Sequence, residues 1–178
     1  MRLFHKEVFQ RCVLILGKGG FGRQLADWLL DEGWGKAEFL DDAAPGCAGK
    51  LHDYTDPALL RKNRPAFAAV GNNVLRAELL QKLAALGYAT PVFVSRAASV
   101  SPSAMLAPGC VVLPQAYVGA DVQAGAGCII NGGAIVDHDA VLGIGVHIAP
   151  GGIVKAGAVL PDFAKVESGQ VVLSPWQT

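Results

Sequence analysis

An apolar residue returns at every sixth position through the second half of the chain, and this repeat limits the possible folds more than any other feature. The series runs without a slip from Val100 to Val172, and a small or modest side chain follows most of its members by four positions. A period of six matches neither one face of a helix nor an alternating strand. It is typical of a triangular parallel β-helix, in which three hexapeptides make one coil and stacked residues lie about 4.8 Å apart. The sequence therefore predicts about four coils. The repeated apolar residues are Val100, Leu106, Val112, Val118, Ala124, Ile130, Val136, Leu142, Ile148, Val154, Leu160, Val166 and Val172.

The composition changes sharply after residue 96, and this change predicts two domains. Residues 1 to 96 hold 23 of the 30 charged residues, and the remaining 82 residues hold seven. The first part alternates short β-branched runs with helical periodicity, which favours a parallel sheet with right-handed crossovers. We therefore expect a small Rossmann-like α/β domain over 1–96, followed by the β-helix over 97–178. The predicted elements of the first domain are strands at 13–16, 37–40, 66–70 and 91–94, and helices at 21–30, from Asp56-Pro57 to about Asn63, and from Asn72 or Asn73 to Gly87.

Charge, hydropathy and cysteine usage narrow the classes of function. Fifteen basic and fifteen acidic residues cancel, so no net field draws the chain to nucleic acid. An apolar content of 52% is too high for a disordered chain, and the apolar runs are too short for a membrane span or a signal peptide. The four cysteines form no C-x-x-C pair, and Cys110 and Cys128 fall in one inward column as core residues. We expect a soluble cytoplasmic protein that binds a small ligand.

The segment GKGGFG, residues 17 to 22, fits the spacing G-x-G-x-x-G between a predicted strand and a predicted helix. Gly17, Gly19 and Gly20 let the backbone and the helix amides approach a phosphate, and Asp41 and Asp42 end the second strand about twenty residues later. A domain of about 95 residues lacks the second mononucleotide-binding half of a dinucleotide fold, which disfavours NAD. A nucleotide with a single base is the favoured ligand, and a purely structural β-α turn is the alternative.

His138 lies between two aspartates in the sequence VDHD, with His147 nine residues further on. The hexapeptide frame puts His138 at a turn position, where its side chain points outward to solvent or to a neighbouring chain. An adjacent carboxylate such as Asp139 can fix the ring tautomer and raise its basicity, which suits a general base near neutral pH. An exposed His-Asp pair without function is the alternative. No metal is expected, because the stacked positions 120 and 156 hold alanine and supply no third ligand.

Together these segments resemble the hexapeptide-repeat acyltransferases of the sialic-acid O-acetyltransferase and UDP-4-amino-sugar N-acetyltransferase group. The resemblance runs from about Cys12 to Pro161 and rests on LGKGGFGRQLADWL, FLDD, AVGNNVLRAELLQKL, CIINGGAIVDHDAVLG and VHIAPG. It implies a Rossmann-like domain that holds a UDP-linked sugar, a left-handed β-helix that holds acetyl-CoA, and a homotrimer with active sites between chains. The expected activity is acetyl transfer from acetyl-CoA to an amino or hydroxyl group of a nucleotide-activated sugar in bacterial glycan biosynthesis.

The resemblance also implies roles for residues of the β-helix. His138 matches the general base of the family, and Asp139 matches the carboxylate that orients it. Asn131 matches a nearby polar contact, and His147 matches a residue beside the acetyl-CoA thioester. Ala156 stands where the family has a glycine whose amide assists the thioester carbonyl, and a backbone amide survives that change.

By the same resemblance Asp41 and Asp42 face the uridine, and the loop with Gly17, Gly19 and Gly20 holds the phosphates. The few charges in the second half also favour a face buried against further copies of the chain, which agrees with a homotrimer. Two other functions stay open at this point. One is a non-catalytic trimeric nucleotide-sugar-binding or scaffold protein with a shortened β-helix, and the other is an NAD-dependent protein.

Overall fold

The structure is a computed structural model that describes residues 12–60 and 62–175. The chain divides into two compact units, the first ending at Pro91 and the second beginning at Val92. The structural division therefore lies between residues 91 and 92, whereas the composition changes between residues 96 and 97.

The first unit is a three-stranded parallel sheet with two helices. Its strands lie side by side in the order β2-β1-β3, so the chain crosses β1 on its way from the second strand to the third. The predicted β-α-β order is confirmed; β1 and β3 are apolar and fully buried, whereas β2 at the edge is half-buried except at Leu40. The elements are β1 (Val13–Leu16), α1 (Gly20–Asp31), β2 (Ala37–Leu40), β3 (Ala66–Ala68) and α2 (Asn73–Ala85).

Helix α2 begins and ends at residues that favour a helix start and a helix stop. The side chain of Asn72 accepts a hydrogen bond from the amide of Leu75 at 3.0 Å, so Asn72 is the N-cap that the sequence left open between two asparagines. Gly87 follows α2 with a φ of +87°, a conformation that glycine adopts without strain and that stops the helix. Leu79 and Leu83 of α2 then pack into the core of the unit.

Two predicted elements of the first domain are wrong. The helix expected from Asp56-Pro57 is a turn over residues 57–59, preceded by a 3-10 helix over Leu51–Thr55 that the sequence did not predict. A short helix is unfavourable because few hydrogen bonds offset the free energy of helix nucleation. Asn63 is not helical: its φ is +62°, and its amide donates to the carbonyl of Gly87 at 3.0 Å. The second error concerns the strand at 91–94, because Phe93–Val94 pairs with Val111–Val112 and belongs to the β-helix.

The second unit is the predicted parallel β-helix. Its two-residue strands stack in three parallel sheets, with residues 18 apart in register, as in the pairing of Ile129 with His147. Val94 precedes Val100 by six, so the repeat begins one unit earlier than the sequence analysis placed it. The strands are β4 (Phe93–Val94), β5 (Ser99–Val100), β6 (Met105–Leu106), β7 (Val111–Val112), β8 (Tyr117–Val118), β9 (Gln123–Ala124), β10 (Ile129–Ile130), β11 (Ile135–Val136), β12 (Val141–Leu142), β13 (His147–Ile148), β14 (Ile153–Val154), β15 (Val159–Leu160), β16 (Lys165–Val166) and β17 (Val171–Val172).

The repeated apolar residues fill the interior of the coils, as predicted, and the small residues between them fit the corners. Cys110 and Cys128 are fully buried there, and each thiol donates a hydrogen bond to a backbone carbonyl at 3.1 Å. The hydrogen bond with Cys128, together with burial, raises the pKa of the Cys110 thiol well above its usual value. A thiol that stays protonated is a poor nucleophile, so these cysteines act as core residues.

The corners of the coils impose a left-handed backbone at every sixth position. Among the described residues, φ is positive at each of eleven such positions from Gly109 to Gly169, and seven of them are glycine. The other four are Gln115, Asp121, Asp139 and Phe163. A side chain at such a position is sterically disfavoured, least so for aspartate and asparagine.

Within residues 12–60 and 62–175, neither helix has the length and apolar character needed to cross a bilayer.

Candidate functional site

The glycines of the β1–α1 loop fall into two kinds. Gly17 has a φ of +100°, and a side chain on it would meet the carbonyl oxygen of Ala69 at 2.9 Å. Gly22 packs against the carbonyl of Gly17 so closely that no side chain fits. Gly19 and Gly20, in contrast, have open space where a side chain would stand and ordinary backbone angles. Close packing requires a glycine at positions 17 and 22. No contact requires one at positions 19 and 20, where the missing side chains leave the start of α1 uncovered.

The β3–α2 loop shows the same feature, and the sequence analysis did not assign it to a site. Gly71 has neither a positive φ nor a neighbour that a side chain would touch. The strand order β2-β1-β3 places the topological switch point of the sheet between β1 and β3. Ligands of open α/β sheets bind beside such a switch point, at the carboxyl ends of the strands. The glycine that follows the third strand in AVGNN was the available signal.

Asp41 joins the carboxyl end of β2 to the glycine loop. Its Oδ2 accepts a hydrogen bond from the amide of Lys18 at 2.6 Å, and its Oδ1 accepts from the amides of Ala43 and Ala44 at 2.9 and 2.8 Å. These hydrogen bonds, with that from Lys18 the strongest, lower the pKa of the Asp41 carboxyl. Asp41 therefore stays ionised and holds the two loops in a fixed arrangement.

Asp42 and Lys18 continue this network. Oδ1 of Asp42 accepts from the amide of Leu51 at 2.9 Å. Nζ of Lys18 donates to the carbonyl oxygens of Pro45 and Gly46 at 2.6 and 3.3 Å. Of the two aspartates predicted to face the uridine, Asp41 thus contacts the glycine loop, and Asp42 instead contacts the amide of Leu51.

His138 lies in the turn after β11, at the outward position that the hexapeptide frame predicts. Its Nδ1 lies 2.7 Å from Oδ2 of Asp139, and about half of each side chain is exposed (52% and 56%). The backbone amide of His138 donates to Oδ1 of Asp137 at 2.8 Å. With Nδ1 held by Asp139, the other ring nitrogen, Nε2, is the one left to take up a proton.

The carboxylates beside His138 change its basicity. The hydrogen bond to Asp139 raises the pKa of the His138 ring above its ordinary value of 6.5, and the charges of Asp137 and Asp139 act in the same direction. Partial desolvation opposes them. A histidine with a fixed tautomer and raised pKa near neutral pH has the properties of a general base.

The three other predicted residues of the β-helix lie in the coils around this turn. Asn131 is buried, and its Oδ1 accepts from the amide of Gly132 at 2.8 Å. His147 is the half-buried first residue of β13, in register with Lys165 of the next coil. Ala156 stands one coil after His138. The amide of Gly157, which follows Ala156, donates to the His138 carbonyl at 3.0 Å.

The amide of Ala156 is not consumed by the ladder of the β-helix. Gly157 and Ala158 both donate hydrogen bonds from their amides, whereas the amide of Ala156 has no acceptor among the described residues. Ala120, at the same position one coil before His138, likewise donates no backbone hydrogen bond, so this corner of the coils leaves its amide outside the ladder. Across the described parts of the chain, no group of three histidine, cysteine or acidic side chains is arranged to hold a metal ion.

Comparison with known proteins matches both units. Residues 12–83 fit the family model of the PglD N-terminal domain. The acetyltransferase domain of PglB from Neisseria gonorrhoeae FA1090 is 24% identical, with a TM-score of 0.74 over 92% of both chains. PerB from Caulobacter crescentus, solved in complex with CoA and GDP-perosamine, is 28% identical, with a TM-score of 0.73 over 92% of this chain and 88% of that one. No curated protein sequence matches the chain.

These findings agree in kind with the two units of the structure. The PglD N-terminal domain match covers the three-stranded sheet, the β1–α1 and β3–α2 loops and most of α2. The likeness to PerB covers 92% of this chain, which is more than either unit alone. The resemblance to hexapeptide-repeat acyltransferases is therefore confirmed: residues 12–83 match the PglD N-terminal domain, and the chain shares the fold of the PglB acetyltransferase domain and of PerB.

Proposed function

We propose that the protein transfers an acetyl group from acetyl-CoA to the amino group of a nucleotide-linked sugar, with His138 as general base. The observation that carries this proposal is the 2.7 Å contact between His138 and Asp139 in an exposed turn. PerB, which shares the fold, was solved with CoA and a GDP-linked amino sugar, and the PglB domain was solved with acetyl coenzyme A. We place the reaction in the cytoplasm, where the free thiols of the chain stay reduced.

The proposed reaction is a direct transfer without a covalent enzyme intermediate. The sugar nitrogen attacks the thioester carbonyl, and Nε2 of His138 removes its proton as the C–N bond forms. The C–S bond then breaks, and the proton passes from the imidazolium to the departing thiolate. Asp139 stabilises the imidazolium between these two steps because it accepts the hydrogen bond from Nδ1.

The unused amide of Ala156 supports a second role in this reaction. As the thioester carbonyl is attacked, negative charge develops on its oxygen, and a fixed N–H donor stabilises that charge. The Ala156 amide lies one coil from His138 and has no acceptor within the described residues. We therefore assign it to the carbonyl oxygen, and we assign the half-buried His147 and the buried Asn131 to the surroundings of acetyl-CoA.

The crevice between the β1–α1 and β3–α2 loops is the proposed nucleotide site. The open start of α1 at Gly19 and Gly20 provides amides and a positive helix end for the diphosphate. Asp41 and Asp42 lie at the neighbouring strand end, where an oxygen lone pair left over from the backbone contacts can accept from a base or ribose. We propose a UDP-linked sugar, with GDP as the other base to be tested.

The function is tested with a panel of UDP- and GDP-linked amino sugars. Each is incubated with acetyl-CoA, and the released thiol is measured. Activity on an amino sugar, and none on the matched hydroxy sugar, is the expected result. Binding of a nucleotide sugar without binding of acetyl-CoA would instead support the non-catalytic scaffold.

Asp139→Asn is expected to move the acid limb of the pH profile to lower pH. The base must be unprotonated, so activity falls as the pH drops through the pKa of His138, which Asp139 raises. Asparagine cannot stabilise the imidazolium as a carboxylate does, so the pKa of His138 falls toward 6.5 and the limb follows it. The measurement is kcat/KM against pH, with Asp137→Asn as the control that removes a charge but not the ring hydrogen bond. An unmoved limb in Asp139→Asn, or an equal shift in both variants, would contradict this assignment.

We also propose that the protein is a homotrimer that associates through the β-helix. The outward residues of one sheet form an apolar row from β8 to β17, in which Tyr117, Ile135 and Val171 are about 40% exposed (45%, 39% and 43%) and Ile153 is half-buried. Such a row is typical of a surface that packs against another chain.

Light scattering at micromolar concentration is expected to return the mass of a trimer. Ile135→Glu should lower that mass, because it places a charge in the apolar row. Leu30→Glu, which changes an exposed apolar residue of α1 outside the β-helix, should leave the mass unchanged. A monomeric wild type would contradict the proposal.

A further inference from the structure

Gly119 lies directly against the peptide that carries His138. It follows β8, and its amide donates to the carbonyl of Val136 at 2.8 Å, which stacks it one coil before Asp137. A side chain on Gly119 would begin 2.6 Å from the amide nitrogen of His138 and 3.0 Å from the carbonyl carbon of Asp137. These are backbone atoms, which cannot rotate away as a flexible side chain can. The φ of Gly119 is not in the left-handed region, so backbone conformation does not require a glycine. The close contact with the His138 turn does.

The turn itself has little freedom to give way. The amide of Asp139 donates to the carbonyl of Ala120 in the preceding coil at 2.9 Å. On the other side, the amide of Asp137 donates to the carbonyl of Val154 at 2.9 Å, and the carbonyl of His138 accepts from the following coil. Because both neighbouring coils hold the turn, a side chain at 119 would rotate or shift the 137–138 peptide within it. Such a shift changes the position of the His138 ring relative to Asp139.

We propose that Gly119 is a positioning residue for the reaction: the missing side chain lets the Asp137–His138 peptide lie where the His138 ring meets Asp139. The inference rests on the proposed function for its effect on turnover, but its structural part stands without it. Gly119 is buried and has no side chain to offer a substrate, so its effect passes through the His138 turn.

The test compares Gly119→Ala with Gly125→Ala. Gly125 is a matched control, because a side chain there would lie 2.8 Å from the backbone atoms of Gly143 and Ile144, the equivalent contact at another corner of the same coils. Both variants should lose thermal stability to a similar extent. Only Gly119→Ala should lower kcat, by about tenfold or more, with KM for acetyl-CoA nearly unchanged.

A second readout separates positioning from general damage to the coil. NMR titration of the His138 ring reports its pKa, on which the charges of Asp137 and Asp139 act. Gly119→Ala should lower this pKa toward 6.5, and Gly125→Ala should leave it in place. An unmoved titration in Gly119→Ala, with equal losses of kcat in both variants, would overturn the proposal. The titration needs no activity, so it remains decisive even if the wild type transfers no acetyl group.

A milder variant covers the case in which Gly119→Ala does not fold. The Ser103 hydroxyl accepts a hydrogen bond from the amide of Asp121 at 3.0 Å and so holds the segment that follows Gly119. Ser103→Ala removes this exposed hydrogen bond and should shift the titration of His138 in the same direction by a smaller amount. A titration identical to that of the wild type would then overturn the inference.

Discussion

Replacing His138 with alanine is expected to lower turnover by about 10²- to 10⁴-fold, while the affinity for acetyl-CoA changes little. The reason is that Nε2 acts on a proton that moves in the transition state, whereas the ring contributes little to the binding of either ground state. Thiol release gives kcat, and calorimetry with acetyl-CoA gives the binding constant. In the wild type, activity should rise with pH through an apparent pKa above 6.5, because Asp139 and Asp137 stabilise the protonated ring.

His52→Ala is the control for this result. His52 is also an exposed histidine beside an aspartate, with its Nε2 3.3 Å from Oδ1 of Asp53, but it lies in the first unit. It should leave turnover unchanged. An active His138→Ala enzyme with the pH profile of the wild type would show that the base lies elsewhere.

The backbone of Asp139 argues that this pair is more than a chance contact. Asp139 has a φ of +60° at a corner position where glycine is the most frequent residue among the described coils. A left-handed aspartate is strained relative to glycine, and such strain persists where the surrounding structure holds it. At this corner, the aspartate places its carboxylate 2.7 Å from Nδ1 of His138. Asp121, one coil earlier, shares the conformation but follows an alanine.

The β-helix could be predicted from the sequence because its period is fixed by geometry. Every coil uses the same number of residues, so an apolar residue at Val136 determines the orientation of His138 two positions later. The first unit has no such period. The Asp56-Pro57 signal is real, since Oδ1 of Asp56 accepts from the amide of Ala58 at 2.8 Å, but it starts a single turn. Capping residues report where a helix can begin and carry no information on whether packing extends it.

The site was predicted in part for a similar reason. His138 and Asp139 are neighbours in sequence, so their contact needs only the correct turn. The contacts of Asp41 cross from one loop to another, and no spacing in the sequence shows that its carboxylate binds the amide of Lys18. The sequence also cannot show why each glycine is present, because Gly22 makes a tight backbone contact and Gly20 faces open space.

Gly20→Val is expected to weaken binding of the nucleotide sugar by about 10²-fold or more. A branched side chain on the first residue of α1 would fill the space beside the helix amides and exclude the diphosphate, whose charge-assisted hydrogen bonds are the strongest that the crevice offers. The variant should fold, because apart from the chain neighbours and the backbone of α1 itself, nothing lies within 4 Å of the Cβ that the new side chain adds. Calorimetry with the nucleotide sugar measures the loss, and acetyl-CoA binding should be retained.

Two further variants show what a loss through misfolding would look like. Gly22→Ala places a methyl group into the Gly17 carbonyl, so it should lower the thermal stability of the first unit together with binding. Asp41→Ala releases the amides of Lys18, Ala43 and Ala44 and should weaken binding by loosening the loops rather than by blocking the diphosphate. Gly20→Val should differ from both in keeping the melting temperature of the wild type. If its affinity for the nucleotide sugar is also that of the wild type, the diphosphate does not bind at the start of α1, and the open space at Gly19 and Gly20 has another cause.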